Sequence, residues 1–207
     1  MEKVLDLYAQ EYNPLYPVVC FDERPCQLID NVLVPIPMKP GECKKQDYQY
    51  KRNGICSVFM AFCPGTGQRY IQVKERRTKK DYASFMKYLS SCFPVAKKIQ
   101  LVQDNLNTHT FGSFYNSFEP EIAWMLSEKF YFYYTPKKAS WLNMAEIELS
   151  ALSKQCLDRR IADIETLTKE VSIWTKARNK NNITVDWSFS KNDARVKLKK
   201  FYTSVRQ

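Results

Sequence analysis

The chain has 207 residues, 44% hydrophobic, 14% aromatic and 26% charged, a composition that supports a packed core and excludes disorder. Neither a GxGxxG nor a GxxxxGK[ST] loop occurs among its five glycines, no apolar run approaches the ~20 residues of a membrane span, and the N-terminus is too polar for a signal peptide. The net charge is +10, and residues 151–207 hold 13 Lys/Arg against 6 Asp/Glu, which points to a polyanion partner or, more plainly, to a solubilising surface.

Length predicts one domain, with residues 1–15 as a lead-in and 181–207 as a basic tail. Residues 16–21 form a short β-rich run that stops at Asp22-Glu23. Three prolines in 28–40 predict a loop or edge strand. Residues 55–62 and 69–74, joined by the turn 64–68, predict a hairpin. Tyr82, Phe85, Met86, Leu89 and Phe93 repeat at helical spacing before Pro94. A strand over 98–103 follows, ending at Asp104, then short helices over 110–118 and 120–128 and a buried strand over 130–134. Ser140 is placed to cap a helix over 141–157. Helices over 163–180, with Val171 and Trp174 inward, and over 191–202 complete a mixed α/β fold. The seven cysteines include no CxxC and read as buried hydrophobes rather than a disulfide or zinc framework.

Three acidic positions carry the candidate chemistry. Asp22 and Asp104 each follow an apolar strand, where ligand-binding groups of α/β sheets gather. If those strands are neighbours, the two carboxylates meet and can hold a hard divalent cation through oxygen; alternatively, each simply faces water. In the later helix, Leu142, Ala145, Leu149, Leu152 and Cys156 form an apolar stripe, flanked by Glu146 on one side and Glu148 on the other. Periodicity does not choose between these two.

Cys20-Phe-Asp22-Glu23, Leu101-Val-Gln-Asp104-Asn-Leu-Asn-Thr-His109, and Tyr134-Thr-Pro136 with Ser140-Trp-Leu-Asn-Met-Ala-Glu146 resemble the three signatures of DDE transposases. The resemblance is to the bacterial insertion-sequence branch of the mariner superfamily, the IS-six-thirty family. It runs from about Val18 to the end and includes 74–81, 156–160 and 185–187. It implies an RNase H-like (retroviral-integrase) fold, with a five-stranded mixed sheet flanked by helices. Asp22, Asp104 and Glu146 then match the catalytic acids, 82 (22 to 104) and 42 (104 to 146) residues apart, with Glu148 as the fallback.

The resemblance further implies two Mg²⁺ or Mn²⁺ ions, Asp22 bridging them, Asp104 on one and Glu146 on the other. Water cuts DNA at the element ends, and the freed 3′-hydroxyl joins target DNA. Glu23, Asn105 and His109 are possible accessories to the metal site. Lys74, Arg76, Arg77, Lys79, Lys80, Trp141, Arg195, Lys197, Lys199 and Lys200 are candidate DNA contacts, with solvated surface the alternative for the cations and burial against the sheet for Trp141. The family's helix-turn-helix recognition region has no room in the 21 residues before Asp22, so a separate N-terminal chain is an expected partner, with homodimer assembly on DNA in a bacterial, nucleoid-associated cytoplasm. An RNase H-like or junction-resolving nuclease without strand transfer, and an inactive DNA-binding remnant, are the competing readings.

Overall fold

The computed structural model describes residues 1–137 and 139–203. Five strands, β1 (Val18–Asn31), β2 (Tyr50–Cys63), β3 (Gln68–Lys74), β4 (Ile99–Gln103) and β5 (Phe130–Tyr134), form one sheet in the order β3-β2-β1-β4-β5. The β1, β2 and β3 strands pair antiparallel, while β4 and β5 join parallel to β1. This is the expected five-stranded mixed sheet, with the first and fourth strands adjacent.

Helices cover both faces. On one, α2 (Lys79–Cys92), α3 (Gly112–Tyr115) and α4 (Pro120–Lys129) close a core around Val19, Phe21, Phe59, Phe85, Leu101 and Phe114. Each fully buried phenylalanine there contributes about 1.5–3 kcal/mol. On the other face, α5 (Met144–Gln155) and α6 (Ile164–Lys180) pack on Val58 and Met60, with Val171 and Trp174 inward as expected. Beside them α1 (Glu2–Tyr8) lays Val4 and Leu7 against Cys20, Phe62 and Val102. Two short helices, α7 (Lys191–Lys197) and α8 (Lys199–Thr203), replace the single late basic helix. Among the described residues no helix is long and apolar enough to cross a membrane.

Three departures from the sequence reading have physical causes. First, β1 does not stop at Asp22. It continues for nine more residues as a ribbon with β2, and its pairing with β4 ends at Cys20. Among the described residues no strand pairs with the β4-side edge of this extension, which is why Pro25 is tolerated in mid-strand. Second, β5 is an edge strand, with Tyr131 and Tyr134 exposed. Third, Ser140 starts only a 3₁₀ turn (Ser140–Leu142), and the cap of α5 is Asn143, whose Oδ1 accepts from the Ala145 amide.

Candidate active site

Strand alternation sorts the acidic residues. Cys20 and Val102 are the last pair of the parallel β1–β4 ladder, and Asp22 and Asp104 each follow two residues later, near enough for the Asp104 charge to act on Asp22. Cys20 and Val102 lie on the face packed by Met144 and Ala145 of α5, and Asp22 shares that face by its period of two. Phe21 and Glu23 point to the opposite face.

Asn143 brings the third acid over. Its buried Nδ2 donates to the Phe21 carbonyl at 2.7 Å, one residue before Asp22. The same side chain caps α5, so one residue fixes both the start of the helix and its height above β1. Glu146, in the first turn, is half-buried at that level.

The electrostatics follow from this placement. Burial, then the charge of Glu146, then those of Asp104 and Glu23 push the Asp22 carboxyl up to about 7, although its Oδ1 accepts the Glu23 amide at 2.8 Å. The charges named here are all carboxylates: these groups repel one another and call for a cation. Asp104, at 36% side-chain exposure, opens to solvent.

Glu148 is set apart from this group. It is 1% exposed and ion-paired to Arg69 Nε at 2.5 Å and Arg178 Nη2 at 3.0 Å. Arg69 also donates to the Gly67 and Ile183 carbonyls, at 2.6 Å each, and its guanidinium lies over the Phe62 ring. Burial alone would raise the Glu148 pKa, but the two arginines outweigh it and hold it below the ordinary value. The fallback position is a structural ion triad, its oxygens already committed.

His109 is neither a surface group nor a helix cap. It is 1% exposed, with Nδ1 2.5 Å from Asp104 Oδ1. Its Nε2 lies 2.8 Å from Glu23 Oε2, an ion-pair contact away from in-line hydrogen-bond geometry. Burial pushes the imidazole pKa down, but the two carboxylates outweigh it and hold it up at about 9. Three groups that the sequence reading did not single out fix this loop. Buried Gln103 donates to the His109 carbonyl at 3.1 Å and accepts from Tyr82 Oη at 2.8 Å, and Tyr134 Oη donates to the same carbonyl at 2.9 Å. Gln103, a polar residue closing an apolar strand directly before Asp104, was the available signal.

The remaining candidates sit at the surface. Arg76 and Arg77, between β3 and α2, and Lys79 and Lys80, in the first turn of α2, are exposed. Lys74 is half-buried, and its Nζ donates to Ser84 Oγ at 3.3 Å. Asn105 is exposed. Arg195 is engaged by Glu2 at 2.8 and 2.9 Å, and Lys197 lies 3.8 Å from Asp193 and over the Phe189 ring. Lys199 and Lys200 are exposed. Trp141, 43% exposed, is not buried against the sheet; it stacks on Trp187 and meets Phe189 edge-on.

Oxygen-only donors of this kind suit a hard divalent cation. Among the described residues, no three His, Cys, Asp or Glu side chains are gathered closely enough to hold an ion as they stand. The donor chemistry, carboxylate oxygens alone, is the part that fits such an ion.

A mixed five-stranded sheet in this order, with helices on both faces, is the RNase H-like fold. The chain matches the DDE superfamily endonuclease family over residues 17–168 and belongs to that family. Among solved structures it is similar to the Mos1 mariner paired-end complex with Mn, at 14% identity and a TM-score of 0.58, covering 87% of this chain and 55% of that one. It is likewise similar to the Mos1 strand transfer complex (14% identity, TM-score 0.58, 85% and 51% coverage) and to the Mos1 transposase paired-end complex with left transposon end (15%, 0.53, 82% and 52%). The chain thus spans about half the length of the transposase chains it matches. No curated protein matches the sequence.

Proposed function

We propose that this chain is the catalytic domain of a DDE transposase of the IS-six-thirty branch, residues 1–207 forming one domain. It cleaves DNA at element ends and joins the freed 3′-hydroxyl to target DNA. The observation that carries the reading is the grouping, within a DDE superfamily endonuclease match, of buried Asp22 with Asp104 and Glu146 as its charged neighbours. A fold does not bury mutually repelling acids for stability; such a cluster suits a cation-binding site.

In this reading Asp22, Asp104 and Glu146 hold Mg²⁺ or Mn²⁺. The bound ions supply positive charge for the attacking and leaving oxygens of the phosphodiester and a route to a reactive water at neutral pH. The chain's own residues do the placing: the β1–β4 ladder sets Asp22 beside Asp104, and Asn143 sets Glu146 above them. Arg76, Arg77, Lys79 and Lys80, with Lys74, Lys199 and Lys200, contact the DNA backbone, and the exposed face of Trp141 offers a base-stacking surface. Homodimer assembly on paired ends and recognition of the repeats by a separate segment or chain, in a bacterial cytoplasm, complete the proposal.

The test is nicking and joining on supercoiled plasmid with Mg²⁺ or Mn²⁺, comparing wild type with Asp104→Asn. Nicking and joining in the wild type, lost in a folded mutant, support the reading. Nicking without joining supports a nuclease instead, and equal activity in both proteins overturns the site. DNA binding by this chain alone is expected to be weak, salt-sensitive and indifferent to sequence. Tight, specific gel shifts at physiological salt contradict that.

A further inference from the structure

Asp104 follows the last residue of β4, at 36% side-chain exposure, where a carboxylate ordinarily swings freely. Here one oxygen is taken. Oδ1 is bonded to His109 Nδ1 at 2.5 Å, and Oδ2 has no hydrogen bond among the described residues. The ring doing this is itself immobilised. It stacks on Tyr82 with centroids 4.8 Å apart, meets Phe21 edge-on at 5.3 Å, and carries Glu23 Oε2 2.8 Å from its other nitrogen. The His109 carbonyl is held by Gln103 and Tyr134, so the backbone cannot rotate the ring away.

A histidine that only fills space has no need of a carboxylate at each nitrogen. One of the two, Glu23, stands in β1 just past its pairing with β4, the other directly follows β4, and Glu23 alternates to the face opposite Asp22. The ring stacks on Tyr82 of α2, so the contact reaches Asp104 from the α2 side of the sheet.

We infer that His109, anchored by Glu23, is a positioning residue that pins Oδ1 of Asp104 so that Oδ2 is the oxygen offered to a divalent cation. The inference rests on the reading of Asp104 as a metal-holding residue. Hydrogen-bond partners of metal-binding carboxylates typically govern affinity by about 10–100-fold.

The test is calorimetric titration of the full chain with Mn²⁺ alone, with a thermal melt of every variant. The side-chain amide of asparagine reaches the position of Nδ1 and that of glutamine the position of Nε2. His109→Gln therefore breaks the contact to Asp104, while His109→Asn retains a donor to it. Expected are binding by wild type, its loss in Asp104→Asn, about 10–100-fold weaker binding by His109→Gln, and recovery to within about threefold in His109→Asn. A purely structural histidine predicts lowered melting in both variants with no such order of affinities. A folded His109→Gln that binds like wild type overturns the inference and leaves the site reading intact. Wild type binding no better than Asp104→Asn overturns the site reading, and the inference with it. Should His109→Gln not fold, Glu23→Gln decides: weaker Mn²⁺ binding supports the anchor, and unchanged binding overturns it.

Discussion

Glu146 and Glu148 stand two residues apart on one helix and meet opposite company. Glu148 is buried against two arginines that hold its pKa down, and its oxygens stitch α5 to β3 and α6. Glu146 is half-buried near Asp22, whose carboxyl is raised by burial and by Glu146 itself. A buried acid with its cations supplied by the chain is structure; a buried acid whose charged neighbours are carboxylates is, in the proposed reading, a metal site. Burial alone does not tell them apart, and the sign of the neighbouring charge does.

The comparison breaks most visibly in stability. Glu148→Ala leaves Arg69 buried without its carboxylate, and should cost about 3–5 kcal/mol in urea unfolding. A loss near zero removes the structural half of the contrast.

pH separates the two acids next, in chelator-treated protein. A carboxyl raised from 3.8 to about 7 contributes stability that is present below its unfolded value and lost as pH rises through 7. Asp22→Asn should therefore exceed wild type in stability at pH 8, by up to roughly 4 kcal/mol, and match it near pH 4. Glu148 has the opposite sign, since its depressed pKa gives stability present above 4.5 and lost on acidification. Parallel pH–stability curves for wild type and Asp22→Asn contradict the assignment.

In the proposed reading, Mn²⁺ should reverse the Asp22 penalty. Mn²⁺ at about a hundred times its dissociation constant should stabilise wild type by about 2.7 kcal/mol and leave Asp22→Asn unmoved, read by thermal melting. Asn143→Ala should show the smallest stability effect, about 1–2 kcal/mol for the lost cap and the lost bond to Phe21. Its nicking rate should fall further than that, because Glu146 loses its tether to β1.

Much of this was legible in the chain. The helical spacing of Tyr82, Phe85, Met86 and Leu89 reports local burial directly, whereas the aromatic run 130–134 reports strand preference and not burial, since Tyr131 and Tyr134 are exposed. The end of β1 was not legible: charges at Asp22-Glu23 and a proline at 25 look like a stop, and only the unpaired β4-side edge makes them tolerable. The α1 helix was read as a lead-in, since its three buried positions, Val4, Leu5 and Leu7, are too few to show a period. At the site, the three acids could be located by strand ends and a helical stripe, but Glu146 and Glu148 flank that stripe alike. What distinguishes them is Arg69 on β3 and Arg178 on α6, 79 and 30 residues distant in sequence. His109 was visible as a residue and invisible as a bridge, because the Glu23 that meets it comes from β1, 86 residues (23 to 109) earlier in the chain.

The central claim is that Glu146, and not its neighbour on the arginine face, completes the acidic site. Nicking of supercoiled plasmid with Mn²⁺ by wild type and by Glu146→Gln tests it most directly, with a melt of each protein alongside. The account predicts an activity drop of about a hundredfold or more at an unchanged or slightly raised melting temperature. Full activity in a folded Glu146→Gln would contradict it.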